Sequence, residues 1–162
     1  MARKTFAEKL NDSKNLPKIE ILTNIDAISR YGGEKMLIAP PIAYDEIMKK
    51  VPYGKLITSD KIRIYLAKKY KADFTCPLTA GFFINIVAKA VEEQAESQLK
   101  ALNSDDFTPF YRTLKKNGEL CDKFPGGIDG HRELLEKEGH VIIQKGKRSF
   151  VENYEDSLFE LK

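Results

Sequence analysis

Residues 108–127 read Thr108-Pro-Phe-Tyr-Arg-Thr-Leu-Lys-Lys-Asn-Gly-Glu-Leu-Cys-Asp-Lys-Phe-Pro-Gly-Gly127, and the reading of the whole chain turns on them. Pro109 fixes its own φ and drives Thr108 toward extended geometry. The sequence therefore predicts that Phe110, Tyr111 and Arg112 are presented from a stiff extended segment, not from a helix. Asn117-Gly118 is a turn signal, because both residues tolerate positive φ. Phe124-Pro-Gly-Gly127 closes the stretch as a rigid corner. Taken alone, the stretch is either a core-packing strand with a surface turn or the seat of a site.

Downstream, Gly130–Gly139 is expected to form a helix that buries Leu134 and Leu135 and stops at Gly139. His140–Ile143 and Ser149–Val151 read as strands joined by Lys145-Gly-Lys-Arg148. That basic tip suits a wing and equally suits protection of an exposed sheet edge. Upstream, three helices are expected. The first covers Pro41–Lys50. The second is capped by Thr58 or Ser59, with Asp60 in its first turn and Lys68-Lys69 at its end. The third is long, capped by Thr79 and reaching about Leu102, with Phe82, Phe83, Ile86, Val87, Ala90 and Val91 at helical spacing. Val51-Pro-Tyr-Gly-Lys55 makes a tight turn between the first two, followed by a short extended Leu56-Ile57. Helix, glycine turn, helix, turn, helix is the order of a helix-turn-helix module.

The first forty residues carry no legible chemistry and are expected to cover the rest. They read as a short amphipathic helix over 3–11, a break at Asn15-Leu-Pro17, and a strand over Lys18–Thr23. A helix capped by Asn24 or Thr23 and stopped by Gly32-Gly33 follows, then an apolar Met36-Leu-Ile-Ala39. The expected fold class is mostly α with short β pieces, a winged helix-turn-helix-like domain with an N-terminal extension. Its boundaries are 1–40 for the extension, 41–151 for the domain and 152–162 for an acidic C-terminal tail that packs on the body.

The bulk numbers bound the function. A chain of 162 residues, 42% hydrophobic and 31% charged, suits one globular domain with its own core. No stretch approaches the roughly 18 apolar residues of a membrane span, and no signal-peptide run opens the chain, so a cytoplasmic protein without a membrane partner is expected. Cys76 and Cys121 form no Cys-x-x-Cys pair, and His131 and His140 lie far from both in sequence, so neither a disulfide nor a metal site is expected. No cofactor motif occurs. The net charge of +3 does not by itself announce a nucleic-acid binder, but the distribution is uneven. Residues 1–70 hold 14 Lys and Arg against 8 Asp and Glu, while residues 71–162 hold 13 against 16. The basic half favours a polyanion.

Three blocks carry a resemblance: Val51-Pro-Tyr-Gly-Lys-Leu-Ile-Thr-Ser59, Thr108-Pro-Phe-Tyr-Arg-Thr113, and Phe124-Pro-Gly-Gly127 with Leu134-Leu-Glu-Lys-Glu-Gly139. In order and relative position they resemble the DNA-binding domain of alkylguanine-DNA alkyltransferases and their alkyltransferase-like relatives. The match runs over roughly residues 41–143 and is to the family's Pro-x-Gly turn, Pro-Cys-His-Arg segment and Gly-Gly helix. The family flips an alkylated guanine and moves its alkyl group onto a thiolate activated by a histidine. Here those two positions hold Phe110 and Tyr111, neither of which can accept the alkyl group as a thiolate does. The resemblance therefore implies no enzyme. Alkyltransferase-like proteins also lack the cysteine, usually carry a tryptophan there, and flag alkylated DNA for repair.

Phe110 resembles that replacement and is expected at the mouth of a pocket, stacking on an extruded base. Arg112 keeps the family's arginine and is expected to support the segment more than to touch DNA. The tyrosine that rotates the flipped phosphate falls on Ser59. No cation stands in Pro77-Leu-Thr-Ala-Gly81 for the family's base-replacing arginine, leaving Leu78 as an apolar wedge. The function expected is a non-catalytic DNA-binding protein related to the alkyltransferase-like proteins, sensing alkylated bases in DNA repair. Its partners are duplex DNA and a repair protein. Its candidate contacts are Tyr53, Gly54, Lys55, Ser59, Lys61, Thr79, Lys89, Phe110, Tyr111 and Arg112, with Lys145, Lys147 and Arg148 in the hairpin. The alternative is a repurposed domain that binds a protein or small ligand in the former base pocket, lined by Phe110, Tyr111 and Phe124.

Overall fold

The computed structural model describes residues 4–161. Thr5 caps helix α1 (Phe6–Asn11), its hydroxyl accepting the Glu8 N–H at 3.1 Å. Strand β1 (Lys18–Ile21) follows. Asn24 caps α2 (Ile25–Tyr31) by accepting the Ala27 N–H, and Gly32 ends it at φ 87°. Strand β2 (Lys35–Ile38) leads into α3 (Pro41–Met48), with Pro41 at a first-turn position where a missing N–H costs nothing. Next come β3 (Ile57–Thr58), α4 (Ser59–Lys69), β4 (Phe74–Thr75) and the long α5 (Pro77–Gln98). The remainder is β5 (Thr113–Leu114), α6 (Gly127–Lys137) and the hairpin β6 (Ile142–Lys145) with β7 (Arg148–Val151). The fold is mostly α with short β pieces, and α3, α4 and α5 with the hairpin stand in winged helix-turn-helix order. The expected helix start at Arg3 and the last tail residue, Lys162, lie outside the described residues.

Among the described residues, two small sheets fasten distant parts of the chain together, and a third is the local β6–β7 hairpin. β2 pairs antiparallel with β1 and parallel with β4. β3 pairs parallel with β5, setting Ile57 opposite Thr113 and Thr58 opposite Leu114. The acidic tail closes on the same place: Leu56 N–H donates to Ser157 O at 2.9 Å, and Phe159 N–H to Leu56 O at 2.8 Å. Tyr44, Met48, Leu56, Ile62, Val87 and Leu135 pack in one core, each wholly or almost wholly inaccessible to solvent.

Several local expectations are corrected. α5 starts at Pro77 and not at Thr79, whose hydroxyl donates back to Cys76 O at 3.4 Å. The proline is already set for the first helical turn, so the threonine is not needed as a cap. The helix ends at Gln98, where Leu99 turns left-handed and Lys100 N–H reaches Ala95 O at 3.0 Å. α4 is preceded by Thr58, but neither Thr58 nor Ser59 supplies a capping side-chain bond, because Thr58 is buried in the β3–β5 pair. α6 begins at Gly127, three residues earlier than expected. Gly126 takes φ 82°, and a Cβ on Gly130 would stand 2.6 Å from Pro125 O. The glycines thus fold the corner straight into the helix. No helix among the described residues is long and apolar enough to cross a membrane.

The Tyr44 hydroxyl is buried without a protein partner. Burial raises its pKa far above the ordinary tyrosine value, with the neighbouring Cys76 adding to the shift. Tyr44→Phe keeps the ring and removes an unsatisfied group, so it is expected to stabilise the fold by about 1 kcal/mol in urea denaturation.

Candidate functional site

One carboxylate gathers all three motif blocks. Glu138, just past the end of α6, receives the Arg112 Nε at 3.0 and 3.1 Å and Nη2 at 2.7 Å. It also accepts the Gly54 N–H at 2.9 Å. The Arg112 Nη1 donates to Val51 O at 2.9 Å, and the Tyr53 hydroxyl reaches Lys137 O at 3.2 Å. The side chains are only 12% and 4% exposed, so this is a fork-to-carboxylate pair largely out of water. Burial alone would push the Glu138 carboxyl up, yet the hydrogen bonds from Arg112 and Gly54 hold it below the usual range. Arg112 thus supports the segment, as expected of it.

The Phe110–Arg112 segment is not extended. It forms a single 3-10 turn in which Thr108 O accepts the Phe110 N–H at 2.8 Å and Pro109 O accepts the Arg112 N–H at 3.1 Å. That turn places Arg112 to reach Glu138 and Val51 at once, while Phe110 and Tyr111 enter the core. Thr108 anchors its start, donating to Asp45 at 2.6 Å in a buried bond that Lys49 braces from outside at 3.0 Å.

Phe110 is 0% exposed and Tyr111 2%, so neither stands at the mouth of a pocket. The Phe110 ring meets Tyr111 and Phe124 edge-on at 5.5 and 5.3 Å, and Phe124 lies 4.9 Å from the His131 ring. The cleft expected from Phe110, Tyr111 and Phe124 is therefore filled by the three rings themselves. Edge-to-face packing of this kind adds about 0.5–1.5 kcal/mol per pair beyond area burial.

His131, which the sequence did not single out, is the second fastening. It is fully buried. Its Nδ1 accepts the Cys121 N–H at 3.0 Å, and its Nε2 meets Tyr111 O at 2.8 Å. A ring that accepts at Nδ1 and faces a carbonyl at Nε2 is the neutral Nε2–H tautomer. Burial lowers its pKa to about 4, against the two backbone bonds. Its sequence signal was its place one turn before Leu134 and Leu135 on the buried face of α6.

No activated nucleophile results. The Cys121 thiol is buried and its pKa is pushed up by that burial, while the histidine beside it engages the backbone N–H and not the sulfur. Burial, with the charge of Glu138 behind it, raises Tyr111 to about 12. At neutral pH both groups keep their protons. Among the described residues, no group of three or more His, Cys, Asp or Glu is placed to hold a metal ion.

The other candidate contacts lie outside this clamp. Tyr53 is 69% exposed over the Arg112 guanidinium, and Lys55 and Lys61 are exposed. Ser59, Thr79 and Lys89 are half-buried. At the hairpin tip Lys145 and Lys147 are exposed, whereas Arg148 is held by Glu119 at 2.6 Å. Gly54 is committed through its N–H to Glu138. Leu78, the expected wedge, is 68% exposed, and the structure adds Phe82, 59% exposed and one turn further along α5. The apolar run Phe82–Val87, expected to face the core, does so at Ile84 and Val87 but not at Phe82.

Comparison with solved structures finds similarity to S. pombe Atl1 in complex with damaged DNA containing O6-carboxymethylguanine. The identity is 16%, the match covers 75% of this chain and 94% of that chain, and the TM-score is 0.49. A structure of S. pombe ATL in complex with DNA is similar at 17% identity, with the same coverage and a TM-score of 0.45. No family model matches the chain, and the search of curated proteins gave no match.

Removing either partner of the clamp strands a charge out of water. Arg112→Ala and Glu138→Ala are each expected to cost about 3–5 kcal/mol in chemical denaturation, and the double variant less than their sum. His131 makes a separate, pH-dependent contribution. Its folded pKa lies below the ordinary histidine value, so the unfolded chain binds the extra proton first. The stability it supports is complete above pH 6.5 and lost as pH falls toward 4. Unfolding free energy should decline by about 3 kcal/mol across that window. His140, also lowered by burial against the charge of Glu138, adds to the same slope. His131→Gln should flatten it.

Proposed function

We propose that the chain is a non-catalytic DNA-binding protein related to the alkyltransferase-like proteins, one that senses alkylated bases for repair. The observation that carries this reading is the convergence on Glu138. Blocks around residues 51–54, 112 and 138, chosen for their resemblance to one family, meet at a single carboxylate. That the three blocks share one anchor supports reading them as a single framework. At the position matched to the family's nucleophile stands a buried phenyl ring, Phe110.

The surface suits a phosphate backbone. Lys55, Lys61, Lys145 and Lys147 are exposed and make no salt bridge among the described residues, which leaves them free for phosphates. Leu78 and Phe82 offer an apolar edge at the start of α5, where side chains of this kind can unstack base steps. In this reading residues 41–151 are the binding domain, 1–40 an extension and 152–162 a tail, and the protein works with a repair partner in the cytoplasm. A second reading has one observation in its favour. A groove of about 730 Å³ bounded by Phe6, Phe82, Phe83, Ile86 and Phe124 has the size and apolar floor of a small-ligand site.

Fluorescence anisotropy on duplexes with and without O6-alkylated guanine, through a salt series, tests the first reading. Binding should tighten with the lesion and weaken with salt, with a log–log slope of about −0.9 per phosphate contacted. Lys55→Ala and Lys61→Ala should weaken both duplexes equally and each reduce the slope by about 1. Leu78→Ala and Phe82→Ala should erode the preference for the lesion. Absence of binding at low salt, or binding with no salt slope, overturns the proposal.

A further inference from the structure

The outer edge of β1 is open, and its sequence is self-complementary. Leu22 N–H donates to Glu34 O at 2.8 Å, in line with the β1–β2 register that sets Lys18 opposite Ile38. Bonded pairs alternate along an antiparallel ladder, so Lys18, Glu20 and Leu22 point their backbone groups at β2. Ile19 and Ile21 must point theirs the other way. The far side of β2 confirms the parity. Lys35 and Leu37, the partners of Ile21 and Ile19, turn their carbonyls to Asp73 and Cys76 at 2.9 Å each. The N–H and C=O of Ile19 and Ile21 therefore face outward, and among the described residues β2 is the only strand beside β1.

The same two residues are apolar and uncovered, Ile19 at 42% and Ile21 at 58% exposure. Ile19 shares a sheet face with its partner Leu37, which is wholly buried. The core-facing side of this sheet thus runs past its own edge into solvent. Natural edges are blunted by short length, charge, proline, bulges or a covering element. Here the charges, Lys18 and Glu20, occupy one face only and pair with each other at 3.1 Å.

We infer that β1 pairs antiparallel with β1 of a second copy about a twofold axis at Ile19. In that register each Ile19 exchanges two backbone bonds with its counterpart, and the isoleucines of both copies cover one another. Lys18 of each copy then stands opposite Glu20 of the other, a favourable cross-strand pair on both sides of the axis. Shifting the axis to Glu20 would set that residue against itself, which disfavours the neighbouring register. Pro17, with no N–H to offer, faces Ile21 of the other copy and ends the ladder. The product is one continuous six-stranded sheet, in the isologous arrangement usual for homodimers. This edge is separate from the Glu138 clamp, and the inference does not depend on the DNA reading.

Analytical ultracentrifugation of the full chain across a dilution series tests it. The expected result is a reversible rise from the 18.4 kDa monomer to twice that mass. Ile19→Pro removes an N–H that the monomer does not use, so it should leave the circular dichroism unchanged and abolish the dimer. Lys18→Glu and Glu20→Lys should each weaken association about tenfold or more, and the double swap should restore it. A monomer at every concentration, a dimer indifferent to Ile19→Pro, or single swaps that the double swap fails to rescue would each overturn the proposal.

Discussion

The Arg112–Glu138 pair is the joint on which the architecture turns. An arginine fork and a carboxylate, both nearly out of water, are tolerable only when every remaining donor and acceptor is engaged. Here the Gly54 N–H and the Val51 carbonyl supply what the pair leaves over. The consequence reaches well beyond one ion pair. The turn after α3, the 3-10 turn at Phe110 and the end of α6 lie far apart in sequence, yet each must be placed before the charges are satisfied. The β3–β5 pair then fixes the same two segments through their backbones. A short two-residue ladder of this kind would be marginal alone, and the clamp holds its strands in register.

Around that joint the core is filled by aromatic rings. Phe110, Tyr111 and Phe124 pack edge to face, and His131 ties Tyr111 O to the Cys121 N–H. A neutral buried histidine bonded at both nitrogens is a structural linker, and its low pKa is the expected result of keeping it dry. The rings fill the space around the segment with packing.

Much of this was legible before any coordinates. Asn24 with Gly32, the Asn117-Gly118 turn, and the apolar spacing on α5 and α6 gave helices and turns close to where they stand. These signals are local, set by φ preferences and by 3.6-residue periodicity. The misplacements have different causes. Thr79 looked like a cap because a hydroxyl can always serve as one, but Pro77 made it unnecessary two residues earlier. Phe110–Arg112 looked extended because Pro109 constrains only its immediate neighbours, whereas the turn is dictated by Glu138 and Asp45, dozens of residues away. The position of His131 on the buried face of α6 could be read from its spacing to Leu134 and Leu135, but not its bonds, since both partners are backbone groups.

The resemblance led to the expectation of an accessible ring at Phe110, and that ring is buried. Matching Phe110 to the family's nucleophile position says which backbone position it occupies, not whether solvent reaches it. Exposure depends on what surrounds that position, and here Phe124 and Tyr111 close over it. Phe82, beside Leu78 on the first turns of α5, is accessible, as are Tyr53 and Tyr31. Two large apolar side chains left in solvent one helical turn apart are costly for a surface with no use for them.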